Sequence, residues 1–304
     1  MKSEEAARMT NKQTILVTGA TGSIGGAAAV ALAKRGARIV LLGRSLDKLN
    51  ARADLIRAAL SETQVENQET NIEVLPVDLS DMESVRLAAA EAIDRFPVIN
   101  GLILSVAILI QNGPNILPSG HEVMFATNVM GPFLFTELLL ETMQQSDGLV
   151  LHVIAPFHKE IDWDDLQSIR KHRTMAAFNR TKTCNRAIAG ELARRYAGSI
   201  SSVAFDPTFV IDKSDPELSK RWPSGLTGLF WRIMTVFAAK HPSVAGEPLV
   251  DLMLFHPDRA AINGALFILD KRAEEPDEEM NDEMLGRRLW HELDQITQST
   301  PERG

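Results

Sequence analysis

Thr14-Ile15-Leu16-Val17-Thr18-Gly19-Ala20-Thr21-Gly22-Ser23-Ile24-Gly25-Gly26 is an apolar run, then a glycine-spaced turn, then the opening of an alanine-rich segment. The apolar run reads as a buried strand, and Ser23–Arg35 has the composition of a helix. Glycines at 19, 22 and 25 permit a tight turn and close backbone approach. A helix that starts in such a turn offers free N–H groups and the positive end of its dipole to an anion. A turn that merely needs small residues is the bland alternative. The strand before it and the helix after it favour a dinucleotide pyrophosphate, held by Gly19, Thr21, Gly22, Ser23, Ile24 and Gly25.

The rhythm set by this unit continues along the chain. Ala37–Gly43, Ile72–Pro76, Val98–Val106, Gly148–Ile154, Ser201–Phe205 and Ala265–Leu269 are apolar on consecutive positions, as strands covered on both faces are. Leu46–Leu60, Met82–Arg95, His121–Met143 and Thr174–Tyr196 are helical patterns between them. Strand–helix alternation predicts an α/β, Rossmann-type doubly wound parallel sheet of about seven strands, with helices on both faces. Residues 1–12 are polar and expected to be disordered, and 13–272 form one domain. Within it, 212–241 carries Trp222, Phe230, Trp231 and Phe237 and reads as a helical substrate lid. Residues 273–304 form an acidic, then helical tail: Glu274–Glu283 is expected to be solvated, and Leu285, Leu289, Leu293 and Ile296 mark an amphipathic helix.

Composition narrows the partners. The 304 residues include 32 Lys and Arg against 40 Asp and Glu, a formal charge of -8, which argues against nucleic acid. One cysteine, Cys184, excludes a disulfide framework and a cysteine-based zinc site, and no metal site is expected. Charge or proline interrupts every apolar run well before ~18 residues, so no membrane span is expected. With no apolar leader in Met1–Lys12, a cytoplasmic protein is expected.

The second strand ends at Gly43-Arg44-Ser45, where a ribose-reading residue belongs. An acid there would accept from the 2′-hydroxyl of NAD, whereas the Arg44 cation suits the 2′-phosphate of NADP(H). Asp78, after the third strand, suits either the adenine amino group or a cap for the helix beginning near Ser80.

The Thr18–Gly26 loop, Leu41-Leu42-Gly43-Arg44-Ser45, Val77-Asp78-Leu79-Ser80, Phe125-Ala126-Thr127-Asn128-Val129 and Glu191-Leu192-Ala193-Arg194-Arg195 together resemble the short-chain dehydrogenase/reductase family, in its retinol-dehydrogenase-like branch. The resemblance runs from about Thr14 to Leu269. It implies NADP(H) as cofactor and adds Leu79, Ser105, Lys182, Pro207 and Thr208 to the residues that bind it. It also implies a catalytic Ser, a Tyr-x-x-x-Lys and an assisting Asn. Asn128 and Lys182 match two of these, but Phe178 stands at the Tyr position and Ala155 at the Ser position. The one tyrosine, Tyr196, cannot replace Phe178 by a shift of register. The usual Ser/Tyr proton donors are therefore absent.

His158, three residues after Ala155, is the candidate substitute donor; a loop histidine without chemistry is the alternative. Low charge and aromatic spacing in Gly225–Ala239 point to an apolar, ring-containing substrate, with peripheral membrane contact disfavoured. Three functions stay open. They are an NADPH-dependent carbonyl, enone or imine reductase, a non-redox cyclase or isomerase, and an inactive NADP-binding scaffold or sensor. Homodimerisation is open as well.

Overall fold

The computed structural model describes residues 13–61, 71–110, 112–208, 210, 240–255, 258–273 and 277–298. Eight strands form one sheet in the order β3-β2-β1-β4-β5-β6-β7-β8. They are β1 (Thr14–Thr18), β2 (Arg38–Gly43), β3 (Ile72–Pro76), β4 (Gly101–Leu104), β5 (Leu149–Val153), β6 (Ser201–Asp206), β7 (Leu266–Ile268) and β8 (Lys271–Arg272). The first seven pair in parallel, and the two-residue β8 returns antiparallel to β7 at the edge.

Helices α1 (Ser23–Lys34), α2 (Leu46–Ser61) and α6 (Ser243–Val250) cover one face. The other face carries α3 (Met82–Arg95), α4 (Val123–Gln144) and α5 (Thr174–Arg195). The pleat of each strand divides its side chains between two cores. Ile15, Val17, Ile39 and Leu41 pack with α1 and α2, and Leu16, Val40, Leu42 and Leu102 pack toward α3, α4 and α5. Burial on both faces is why the strands lack polar alternation. Both crossovers out of the β1 neighbourhood end level, with Thr18 opposite Leu42 on one side and Leu104 on the other. Strand order reverses there, and that opens a crevice at the strands' C-terminal ends.

Among the described residues, α4 alone is long and apolar enough by composition to cross a bilayer, but 83% of its apolar window is buried in the fold. Its first turns are interrupted by a π-helical turn at Ala126–Met130. Short helices α7 (Arg259–Ile262) and α8 (Glu278–Asn281) precede the last helix, α9 (Glu283–Gln298).

The C-terminal segment corrects one expectation. The acidic stretch is not uniformly solvated: Asp277 is nearly buried against Arg186 of α5, with Oδ2 3.2 Å from Nε. Asp277 also caps α8 by accepting from Met280 N at 3.0 Å, and Met280 itself is buried. The amphipathic pattern that follows forms α9, whose Leu289, Trp290 and Leu293 join the core beside α4 and α5. Trp290 packs edge-on to Phe133 at 4.9 Å, and its Nε1 donates to Glu137 Oε1 at 3.2 Å. Arg195 lies over the same indole at 4.7 Å. The lid expected at 212–241 falls almost wholly outside the described residues, as do 1–12.

Candidate functional site

The glycine-spaced turn folds as a loop clamped to the neighbouring strand. Gly19 has φ 65, a left-handed conformation that glycine adopts without strain, and its carbonyl accepts from Gly22 N at 2.8 Å. Thr18 Oγ1 donates to Ile103 O at 3.1 Å and accepts from Ser105 N at 3.1 Å. Ser105 Oγ donates to Thr18 O at 2.5 Å. A side chain at Gly25 would put Cβ 2.4 Å from Ser105 Oγ and 2.6 Å from Gly19 O, so the first turn of α1 can press on the loop only with glycine there. No side chain caps α1 at Gly22 and no acid lies in its first turn, so its leading N–H groups and dipole face the crevice without a carboxylate of the helix's own.

A cavity of about 190 Å³ opens in front of this loop. Thr18, Gly19, Thr21, Gly22, the exposed Arg44, Leu79 and Ser105–Ile108 are among the residues that line it. Of the residues singled out in the sequence, Gly19, Thr21, Gly22, Arg44, Leu79 and Ser105 thus meet around one space. Ser23, Ile24 and Gly25 form the turn of α1 behind it. Asp78 is engaged locally: its Oδ1 accepts from Ser80 N at 2.9 Å and from Ser80 Oγ at 2.7 Å. The cap of α3 is Asp81, which accepts from Glu83 N at 3.0 Å.

At the end of β6, Thr208 has φ 60, a strained conformation for a β-branched residue. Its N–H donates to Asp206 Oδ1 at 2.7 Å, while its buried hydroxyl oxygen has no partner among the described residues. Pro207 is buried beside it.

Deeper in the crevice, Asn128 sits in the π-turn of α4 and grips the strand-end loop from both sides. Its Oδ1 accepts from Ile108 N at 2.8 Å, and its Nδ2 donates to Ile108 O at 3.0 Å. Lys182 is buried on α5, with Nζ donating to Val153 O at 3.2 Å and lying 5.7 Å from the centre of the Phe178 ring, one turn earlier. Burial lowers the Lys182 pKa to about 8, aided by the nearby Arg186 cation and opposed by Asp206. The Asp206 carboxyl is raised, chiefly by burial. Arg186, a turn beyond Lys182, donates to Ala155 O at 2.9 Å. His158 is half-exposed and turned to α8, with Nδ1 2.5 Å from Glu279 Oε1. No hydrogen bond or ion pair joins it to Lys182 or Asn128 among the described residues.

Sequence reasoning missed Arg186 and Asp277 as a pair. An Arg one turn after a Lys on a polar helix gives no sign of burial, and its carboxylate lies in a distant segment. Burial likewise pushes the Cys184 thiol up to about 12, which leaves it a poor nucleophile.

His152, in β5, is buried, with Nε2 unpartnered among the described residues. Burial lowers its pKa to about 3, so it folds neutral. An unfolded imidazole titrates near ~6.5. Stability from this difference is complete above that value and drains as the pH falls toward about 3. The parent chain should therefore lose about 1.4 kcal/mol per pH unit more than His152→Phe below pH ~6. Urea unfolding at several pH values reads this directly, and a pH-independent gap between the two would refute it.

Comparison with known proteins agrees with this architecture. Residues 13–157 match the family model described as short chain dehydrogenase. Human retinol dehydrogenase 13 is 30% identical over 297 residues, covering 92% of this chain and 83% of that protein. Among solved structures, a Mycobacterium paratuberculosis protein superposes with a TM-score of 0.68 at 22% identity, covering 94% of each chain. A Shigella flexneri short chain dehydrogenase, solved with NADP, gives 0.64 at 20% identity, over 86% of this chain and 99% of that one. The parallel sheet, the glycine loop at its switch point and similarity over nearly the whole length lead to one assignment: the chain belongs to the short-chain dehydrogenase family, with retinol dehydrogenases among its homologues.

Proposed function

We propose that this protein is an NADPH-dependent oxidoreductase that reduces an apolar, ring-containing small molecule without the family's usual Ser and Tyr proton donors. The observation that carries this reading is a glycine-loop cavity lined by Arg44, in a fold whose buried Lys182 amine lies 5.7 Å from the centre of a phenyl ring. The cradle fits a dinucleotide on its own terms. Gly25 leaves no room for a side chain, no side chain caps α1, and Thr208 presents a buried hydroxyl without a partner among the described residues. The Shigella relative's NADP and the Arg44 cation lining the cavity support the phosphorylated form of the cofactor.

When bound, the cofactor supplies the hydride. The chain's part is to hold and orient. Gly19, Thr21, Gly22 and the α1 N-terminus take the pyrophosphate, Arg44 the 2′-phosphate, and Leu79 and Ser105 the adenosine side of the crevice. Lys182, steered by Val153 O, serves the ribose hydroxyls, and Thr208 the carboxamide. Asn128 fixes the Ile108 loop that walls the site. Phe178 and Ala155 offer no hydroxyl, so the proton comes from water or from a group on the substrate. The His158–Glu279 contact supports a donor other than His158. The retinol dehydrogenase relatives support an apolar substrate.

The same phenyl ring on Lys182 favours a second reading, in which the chain binds NADP(H) but transfers no hydride. Calorimetric titration with NADPH, NADH and their oxidised forms comes first, then NADPH consumption with apolar cyclic aldehydes, ketones and enones. Micromolar NADPH binding at least tenfold tighter than NADH, with turnover, is the expected result. Binding without turnover selects the second reading, and no binding of any form removes both.

A further inference from the structure

Helix α2 passes beside the glycine loop and places Arg52 directly on it. Arg52 Nη2 donates to Thr21 O at 3.3 Å. Its guanidinium lies over Gly26, with Cζ 3.1 Å and Nη1 3.2 Å from the point a Cβ would occupy. Gly26 thus leaves a seat that the Arg52 head fills from another helix. Thr21 lines the same cavity as Arg44, so one guanidinium lines the cavity from the end of β2 and a second, from α2, is bonded to the carbonyl of a residue that lines it.

Neighbouring charges leave both cations available. Asp54, the acid nearest Arg52 on α2, is paired with Arg57 at 2.9 Å, and Arg35 is paired with Glu247. Among the described residues no carboxylate forms an ion pair with Arg44 or Arg52. A guanidinium has five donors, and among the described residues Arg52 gives one hydrogen bond, to the Thr21 carbonyl. A phosphate monoester carries close to two charges and three acceptor oxygens at neutral pH, enough to engage both Arg44 and a guanidinium held at Thr21.

We propose that Arg52 is a second specificity-determining residue for the cofactor, joining Arg44 on the 2′-phosphate and using Gly26 as its seat. This rests on the NADPH reading above and assigns a residue to that reading which lies outside the loop and the β2 end. In the alternative role Arg52 only braces Thr21, and the pyrophosphate-binding turn would depend on it for shape.

The test is titration of the full chain with NADPH, NADH, 2′,5′-ADP and 5′-AMP, in the parent, Arg52→Gln, Arg52→Lys and Arg44→Gln. Arg52 is half-buried at the surface of α2, and thermal melts confirm that each variant is folded. The expected result is a 10- to 100-fold weaker NADPH and 2′,5′-ADP affinity in Arg52→Gln, as loss of a hydrogen bond to a charged group gives. NADH and 5′-AMP should change less than threefold, and Arg52→Lys should recover part of the loss. Equal weakening of NADPH and NADH would assign Arg52 to bracing and overturn the proposal. So would an unchanged NADPH preference in Arg52→Gln when Arg44→Gln abolishes it; that pattern leaves the NADPH reading intact. A parent chain without NADPH preference would overturn both together.

Discussion

Asp277→Ala is expected to destabilise the fold by about 3–5 kcal/mol, the cost of stranding a buried charge. Arg186 is 5% exposed and Asp277 8% exposed, so neither can turn to water without moving α5 or the C-terminal segment. Arg186 Nη2 is committed to Ala155 O, and Nε pairs with the Asp277 carboxylate, its one ion pair among the described residues. For a chain of this size each kcal/mol moves Tm by roughly 2–4 °C, so the melting point should fall by about 6–20 °C. Arg186→Met combined with Asp277→Leu should recover most of that loss, because an apolar replacement of both partners removes the desolvation cost together with the attraction. Denaturant unfolding of the three variants measures it. A single variant within about 1 kcal/mol of the parent would mean that the pair is solvated.

The contrast between what was legible in the sequence and what was not follows from the range of the forces involved. Strand–turn–helix at Thr14–Lys34 is a local affair: β-branched residues, four glycines and an alanine run decide it within one short segment. The same locality made Gly19, Thr21, Gly22 and Arg44 readable as candidate binding residues, since each follows a strand of a parallel sheet, while Ser105 came with the family resemblance; the fold places all five around one cavity. Asp277 was not readable. In composition it belongs to an acidic run, and only the docking of α8 on α5 turns it into the partner of Arg186. The His158 contact was unreadable for the same reason: three residues after Ala155 in the chain, its ring meets Glu279 from that docked segment. Arg52 reads as an ordinary exposed position of an amphipathic helix until Gly26 is seen beneath it. β8 has two residues, too few to show a pattern.

Phe178→Tyr combined with Ala155→Ser is expected to raise NADPH-dependent carbonyl reduction by about 10²- to 10⁴-fold, the usual yield of a placed general acid. The site is prepared for it. The Phe178 ring centre lies 5.7 Å from Lys182 Nζ, and a para hydroxyl would extend a ring already packed beside that amine. With a pKa of about 8, Lys182 is mostly cationic at neutral pH, and a cation beside a phenol lowers the phenol's pKa toward the working range. Ala155 is already positioned by the Arg186 bond to its carbonyl, so a serine hydroxyl there would inherit a fixed backbone. Removing the lysine from the restored variant, as Lys182→Ala, should abolish most of the gain, whereas the same change in the parent should act mainly on cofactor affinity. Single-turnover oxidation of bound NADPH by an apolar aldehyde separates the two effects, because it reads chemistry apart from binding. If the restored variant binds NADPH as the parent does yet reduces no faster, Phe178 and Ala155 do not flank the reacting carbonyl. The second reading, nucleotide binding without hydride transfer, would then hold for reasons of pocket shape and not for want of a proton.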